Sequence, residues 1–132
     1  MAVGLGVGGF GCVECMPDAA EDAWRARQGM AVVATLVEDV HVSVRILACG
    51  ACGQHFVSVF TERIDWVGGE DPQDWAVLPL TADESGELRA GSSTLELGAI
   101  GVGRRCLRRA YPSDGDVTVG WSTGPVWIGP YG

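Results

Sequence analysis

Four of the five cysteines fall in two like-spaced pairs, Cys12-Val13-Glu14-Cys15 and Cys49-Gly50-Ala51-Cys52. A CxxC turn directs two sulfurs toward one point, and its backbone amides are free to donate to them. Two such turns supply four soft ligands, the donor set with which zinc forms a closed tetrahedron. Four thiolates also suit an iron–sulfur cluster, and one pair alone suits redox dithiol chemistry. Zinc is the expectation on Cys12, Cys15, Cys49 and Cys52, because neither pair has the strand-to-helix setting of a thioredoxin-type dithiol. A shell filled by four protein thiolates leaves no position for water, so this zinc is expected to be structural.

The remaining nucleophiles and bases are sparse. His55 follows Cys52 by three residues and is expected beside the metal at most, since four cysteines complete the shell. His41 is expected as an exposed strand residue. Cys106 has no partner nearby in sequence and is expected as a small buried apolar residue. There is no GxSxG, P-loop, HExxH or dinucleotide fingerprint. Gly4, Gly6, Gly8 and Gly9 do not sit between a strand and a helix. The chain is therefore expected not to be an enzyme.

Two further clusters bear on binding. The stretch Glu62 to Asp74 carries Glu62, Asp65, Glu70, Asp71 and Asp74, with Trp66 inside it and Trp75 after it. Carboxylates steer basic partners over long distances and Trp anchors interfaces, so Trp66, Glu70, Asp71, Asp74 and Trp75 are the candidate partner surface. The alternative for this stretch is two core Trp side chains with solvated carboxylates. Arg104, Arg105, Arg108 and Arg109 form the one basic cluster. It would contact phosphate, or else balance the acidic excess within the molecule. With 17 acidic residues against nine basic ones, all Arg, the formal charge is −8. That charge disfavours sequence-independent nucleic-acid binding and favours a basic protein partner.

The elements that must position these residues can be read from pattern. Asp18 with Glu21 makes a capping box ahead of a helix over 19–28, closed by Gly29. Residues 31–37 form a strand, and Glu38-Asp39 a turn. Residues 40–47 alternate, with Val40, Val42, Val44 and Ile46 on one side and His41, Ser43 and Arg45 on the other. Residues 56–60 alternate again, so the Cys49 to Gly53 knuckle falls at a hairpin tip. A short strand over 75–78 stops at Pro79. Thr81 with Glu84 starts a second helix over 82–90, ended by Gly91. Residues 95–103 read as helix end or loop, and residues 104–111 as helix or strand. Asp114-Gly115 marks a turn before a strand over 117–121. The 123–125 turn leads to another strand over 126–128.

The two knuckles and the strands flanking Cys49 to Gly53 resemble the zinc-ribbon class, in which two CxxC turns pinch one ion. Here 33 residues separate Cys15 from Cys49, against about 15–20 in the usual pattern. The stretch from Cys49 through Glu62, Asp65 and Trp66 to Pro79-Leu80 also resembles small bacterial proteins of unassigned function. The resemblance implies an α+β domain, a zinc-ribbon-like β-hairpin with antiparallel strands and short helices.

In 132 residues with 47% apolar content, one core-forming domain is expected over 12–132. The Gly-rich 1–11 segment lacks a basic n-region and reads as a flexible or edge arm, not as a signal peptide. No apolar run approaches the ~18–20 residues of a membrane span. Paired CxxC motifs without a secretory signal point to a reducing cytoplasm. The composite expectation is a small acidic zinc-binding interaction module of the immunity-protein or antitoxin type. The alternative is a nucleic-acid- or transcription-associated zinc ribbon that uses Arg104 to Arg109.

Overall fold

The computed structural model describes residues 10–62, 72–91, 100–111 and 116–125. Six strands pair in chain order, every neighbour antiparallel: β1 (Ala31–Glu38), β2 (Val42–Ala48), β3 (His55–Glu62), β4 (Gln73–Pro79), β5 (Arg105–Tyr111) and β6 (Thr118–Thr123). Two short helices, α1 (Ala20–Gln28) and α2 (Ala82–Arg89), complete this α+β arrangement.

The period of two in β3 assigns the two faces. Val57 and Val59 point to one side and join Val44, Ile46, Ala76, Leu78 and Cys106, with Leu80 and Leu88 closing the cluster at α2. Phe56 points to the other side and joins Val77 and Leu107 beneath Ala23 of α1, together with Met16 and three of the cysteines. Each fully buried Val, Ile or Leu contributes about 1.5–3 kcal/mol of transfer free energy, so both faces hold the sheet.

The edge strand β1 is apolar, and its register slips between Val32 and Ala34 and again between Thr35 and Val37. Such irregularities twist an edge away from further strand pairing. The expected alternation in β2 holds for Val44 and Ile46, although the strand begins at Val42. Of residues 104–111, open between helix and strand in the sequence, Arg105–Tyr111 form β5. Pairing with both β4 and β6 satisfies that backbone and decides the matter.

The two helix starts differ. Thr81 and Glu84 form the expected reciprocal capping box. The Asp18–Glu21 box does not form: Ala19 is the N-cap and no side chain caps α1. The Asp18 carbonyl instead accepts from Trp121 Nε1 at 2.9 Å, so this residue ties the chain to β6. Gly29 follows α1 with φ −94°, an ordinary rather than left-handed C-cap. Nine residues are too few for a helix to persist alone. The stability of α1 therefore comes from the sheet it covers and from the turn that precedes it.

The terminal arm before Phe10, the Asp114-Gly115 turn, the 126–128 strand and residues 95–99 lie outside the described residues. Ile100 to Gly103 form turns, and Val102 makes an isolated bridge to Gly124. Among the described residues, no helix is long and apolar enough to cross a membrane.

Candidate metal centre

The β2–β3 hairpin carries the second knuckle at its tip, as its sequence implies. The Gln54 carbonyl accepts from the Cys49 amide at 2.9 Å, and the Gly53 amide donates to the Cys49 carbonyl at 2.9 Å. Gly53 takes φ +80°, a conformation that glycine adopts without a Cβ penalty. The first knuckle stands in no strand pair. It is a single turn before α1, closed by the Met16 amide donating to the Cys12 carbonyl at 2.8 Å.

These two turns bring four sulfurs together. Cys12 lies 3.8 Å from Cys15 and 3.9 Å from Cys49, and Cys15 lies 3.8 Å from Cys52. All four Sγ atoms fall within 4.8 Å of one another. Four sulfurs bound about 2.3 Å from one tetrahedral ion stand about 3.8 Å apart, so the spacing fits a single zinc-sized ion. It is too long for a disulfide, and all five cysteines are free thiols.

The surroundings suit thiolate ligands. The Cys12 amide donates to Cys15 Sγ at 3.2 Å, and the Ala51 amide to Cys49 Sγ at 3.4 Å. Three of the four cysteines are buried and Cys52 is exposed. Burial works against a bare thiolate at Cys12, Cys15 and Cys52. At Cys12, donation from the Cys15 and Glu14 amides outweighs burial and holds the thiol below its ordinary value. At Cys15, burial and then the neighbouring Cys49 charge push it up, and burial does the same at Cys52. A divalent cation among these sulfurs removes that cost, because a coordinating thiol is deprotonated outright.

Two residues that the sequence reading passed over position the site. Gly11 adopts φ +67°, and a Cβ there would stand 2.5 Å from Cys15 Sγ and 2.9 Å from Met16 Cγ. Gln54 joins the two knuckles to the sheet: its Oε1 accepts from the Gly11 amide at 3.0 Å, while its Nε2 donates to the His55 and Leu80 carbonyls at 2.7 and 2.6 Å. The available signals were a glycine directly before the first cysteine and an amide side chain directly after the second knuckle.

His55 is not among the clustered ligands. Its Nδ1 lies 2.7 Å from the Ser85 hydroxyl, joining the start of β3 to α2. Cys106 is fully buried, as expected, and burial pushes its thiol up to about 11. His41 is not an exposed strand residue. It precedes β2, is partly buried, and its Nδ1 lies 3.4 Å from Glu62 Oε1.

The basic cluster is engaged internally. Arg104 makes a two-pronged pair with Glu84 at 2.8 and 3.2 Å and also donates to the Pro79 carbonyl. Arg105 lies 4.0 Å over Trp121, and Arg108 donates to the Pro125 carbonyl at 2.7 Å. Of the acidic stretch, Asp74 is exposed and Trp75 is half-buried, edge-on to Trp24 at 5.6 Å. Trp66, Glu70 and Asp71 lie outside the described residues. Comparison with family models, curated proteins and solved structures gave no match, so the four-sulfur geometry is what defines this centre.

Proposed function

We propose that this chain is a small binding protein whose shape is held by one structural zinc ion on Cys12, Cys15, Cys49 and Cys52. The observation that carries the reading is the closed cluster of four sulfurs, which bridges the turn before α1 and the β2–β3 hairpin. Four protein ligands leave zinc no open position for substrate or activated water, so the ion acts as a cross-link. It pins α1 to the sheet and leaves the outer surface for recognition.

In this reading the partner is a basic protein. The formal charge of −8 steers such a partner, and the acidic stretch through Glu70, Asp71 and Asp74, with Trp66 and Trp75, supplies its contact surface. The role is that of an immunity-type or antitoxin-like inhibitor acting in the cytoplasm, where thiols stay reduced. The nucleic-acid alternative is the weaker reading, since three of the four arginines of its cluster, Arg104, Arg105 and Arg108, already have partners inside the molecule.

The test is capture of partners by the zinc-loaded chain at low and high salt, beside an Asp71→Asn/Asp74→Asn/Glu70→Gln variant. The expected result is a basic protein held at low salt, released as salt rises, and lost in the variant. A partner that is not basic, or one the variant retains, would overturn the assignment of this surface.

A further inference from the structure

Three arginines, Arg27, Arg45 and Arg109, gather on the α1 side of the sheet. Trp24 and Arg27 stand at i and i+3 on α1 and therefore project together. The Arg27 guanidinium lies 5.0 Å from the centre of the Trp24 ring. Arg109 on β5 lies 4.8 Å from the same ring and 4.7 Å from Trp75. Arg27 donates to the Ser58 hydroxyl at 2.9 Å, and Ser58 is the cross-strand neighbour of Arg45 on β2. Arg27, Arg45 and Arg109 thus surround one patch floored by Ser58, Phe60 and Trp75.

Their charges are poorly matched by the chain. Among the described residues the one carboxylate that contacts any of the three is Glu38, 2.9 Å from Arg45. Arg27 Nε is buried without a hydrogen-bond partner among the described residues. Burial, and then repulsion from Arg45 and Arg109, hold the Arg27 guanidinium below its ordinary value. Arg104 shows the opposite treatment, with a two-pronged carboxylate and a carbonyl completing its donors. Gathering three guanidiniums at one patch costs free energy through their mutual repulsion, and an anion placed among them relieves it. The Trp rings hold the Arg27 and Arg109 guanidiniums in place, which lowers the ordering cost of anion recognition.

We propose that Arg27, Arg45 and Arg109, arrayed around Trp24, Trp75 and Ser58, form a binding site for a phosphate or carboxylate group on a small anionic ligand. The site is separate from the cysteine centre; it shares Trp75 with the partner surface proposed above and is tested without that partner.

The test uses the full zinc-loaded chain, titrated at low ionic strength with inorganic phosphate in one arm and succinate in the other. Binding is followed by calorimetry, with Trp fluorescence as a second readout. Saturable binding of either anion is expected, and the arm that responds assigns the ligand group; a response in both means the site reads charge. Arg27→Gln and Arg109→Gln should each weaken binding by roughly ten-fold or more, the loss expected for a charge-assisted hydrogen bond. Arg25→Gln, whose side chain is 72% exposed and paired with Asp22, should bind as the parent does. Where a buried variant loses zinc or its circular-dichroism spectrum, Arg45→Gln decides, because this side chain is 40% exposed. No saturable response to either anion overturns the proposal, as does equal weakening by Arg25→Gln or no effect of Arg45→Gln.

Discussion

Substituting Gly11 with Ala perturbs the first knuckle without replacing a ligand. Two costs follow from its surroundings. An Ala at φ +67° bears about 1–2 kcal/mol for the left-handed backbone. Its Cβ would also stand 2.5 Å from Cys15 Sγ and 2.9 Å from Met16 Cγ, and relieving such crowding in a packed site costs about 1–3 kcal/mol. Together they amount to about 2–5 kcal/mol, well below the ~10–16 kcal/mol that a structural zinc supplies. The ion therefore stays bound, but its affinity should fall by roughly 30-fold to several-thousand-fold. Two other glycines calibrate the effect. Gly53 has φ +80° but open space around a Cβ, so Gly53→Ala should cost the backbone part alone, about ten-fold. At Gly50 nothing lies within 4 Å of a Cβ and the backbone is not left-handed, so Gly50→Ala should be neutral. Competition against a chromophoric zinc chelator at pH 7 reads all three. Equal affinities across the series, or Gly50→Ala as the weakest binder, would refute the reasoning.

Other consequences can be measured on the same protein. His55→Ala should keep one zinc per chain by metal analysis, while losing about 1–3 kcal/mol in a denaturant melt, because fully buried Ser85 is left without its partner. Glu84→Ala should cost about 1–2 kcal/mol by removing half of the capping box and the Arg104 pair. Burial of Glu84 is outweighed by Arg104 donation, which holds its carboxyl below the ordinary 4.5. Its stabilisation is therefore present above that value and lost as pH falls further, and Glu84→Gln should flatten this acid limb. For Cys106 the sign is opposite. Burial raises its thiol from 9.0 to about 11, so the native state holds the proton longer than the unfolded chain. Relative to Cys106→Ala, the parent should lose about 2–3 kcal/mol between about pH 9 and pH 11, measured by denaturant melts across that range. Cys106 should also resist alkylation at pH 8 until the chain unfolds.

The parts of the fold legible in the sequence were those fixed locally. Thr81 and Glu84 cap a helix through contacts within one turn, and the alternation through Phe56 to Phe60 assigns the faces of β3 whatever its neighbours do. The cysteine cluster was legible because ligand spacing within a turn is itself local. What pairs across distance was not. Asp18 has a capping sequence, but α1 takes Ala19 as its N-cap, and the Asp18 carbonyl accepts from Trp121 far along the chain. Arg104 to Tyr111 has no strong period, and its strand conformation is set by β4 and β6. Gln54 and Gly11 matter because the two knuckles meet, which neither residue announces in isolation. The arginine patch likewise exists only once α1 has settled on the sheet, against β5 and β6.

The central claim is most directly tested by X-ray absorption at the zinc edge on protein purified under reducing conditions, with metal content measured alongside. One zinc per chain, surrounded by four sulfur neighbours at about 2.3 Å, is the predicted result. A folded, metal-free chain, or a first shell containing nitrogen or oxygen in place of a sulfur, would contradict it.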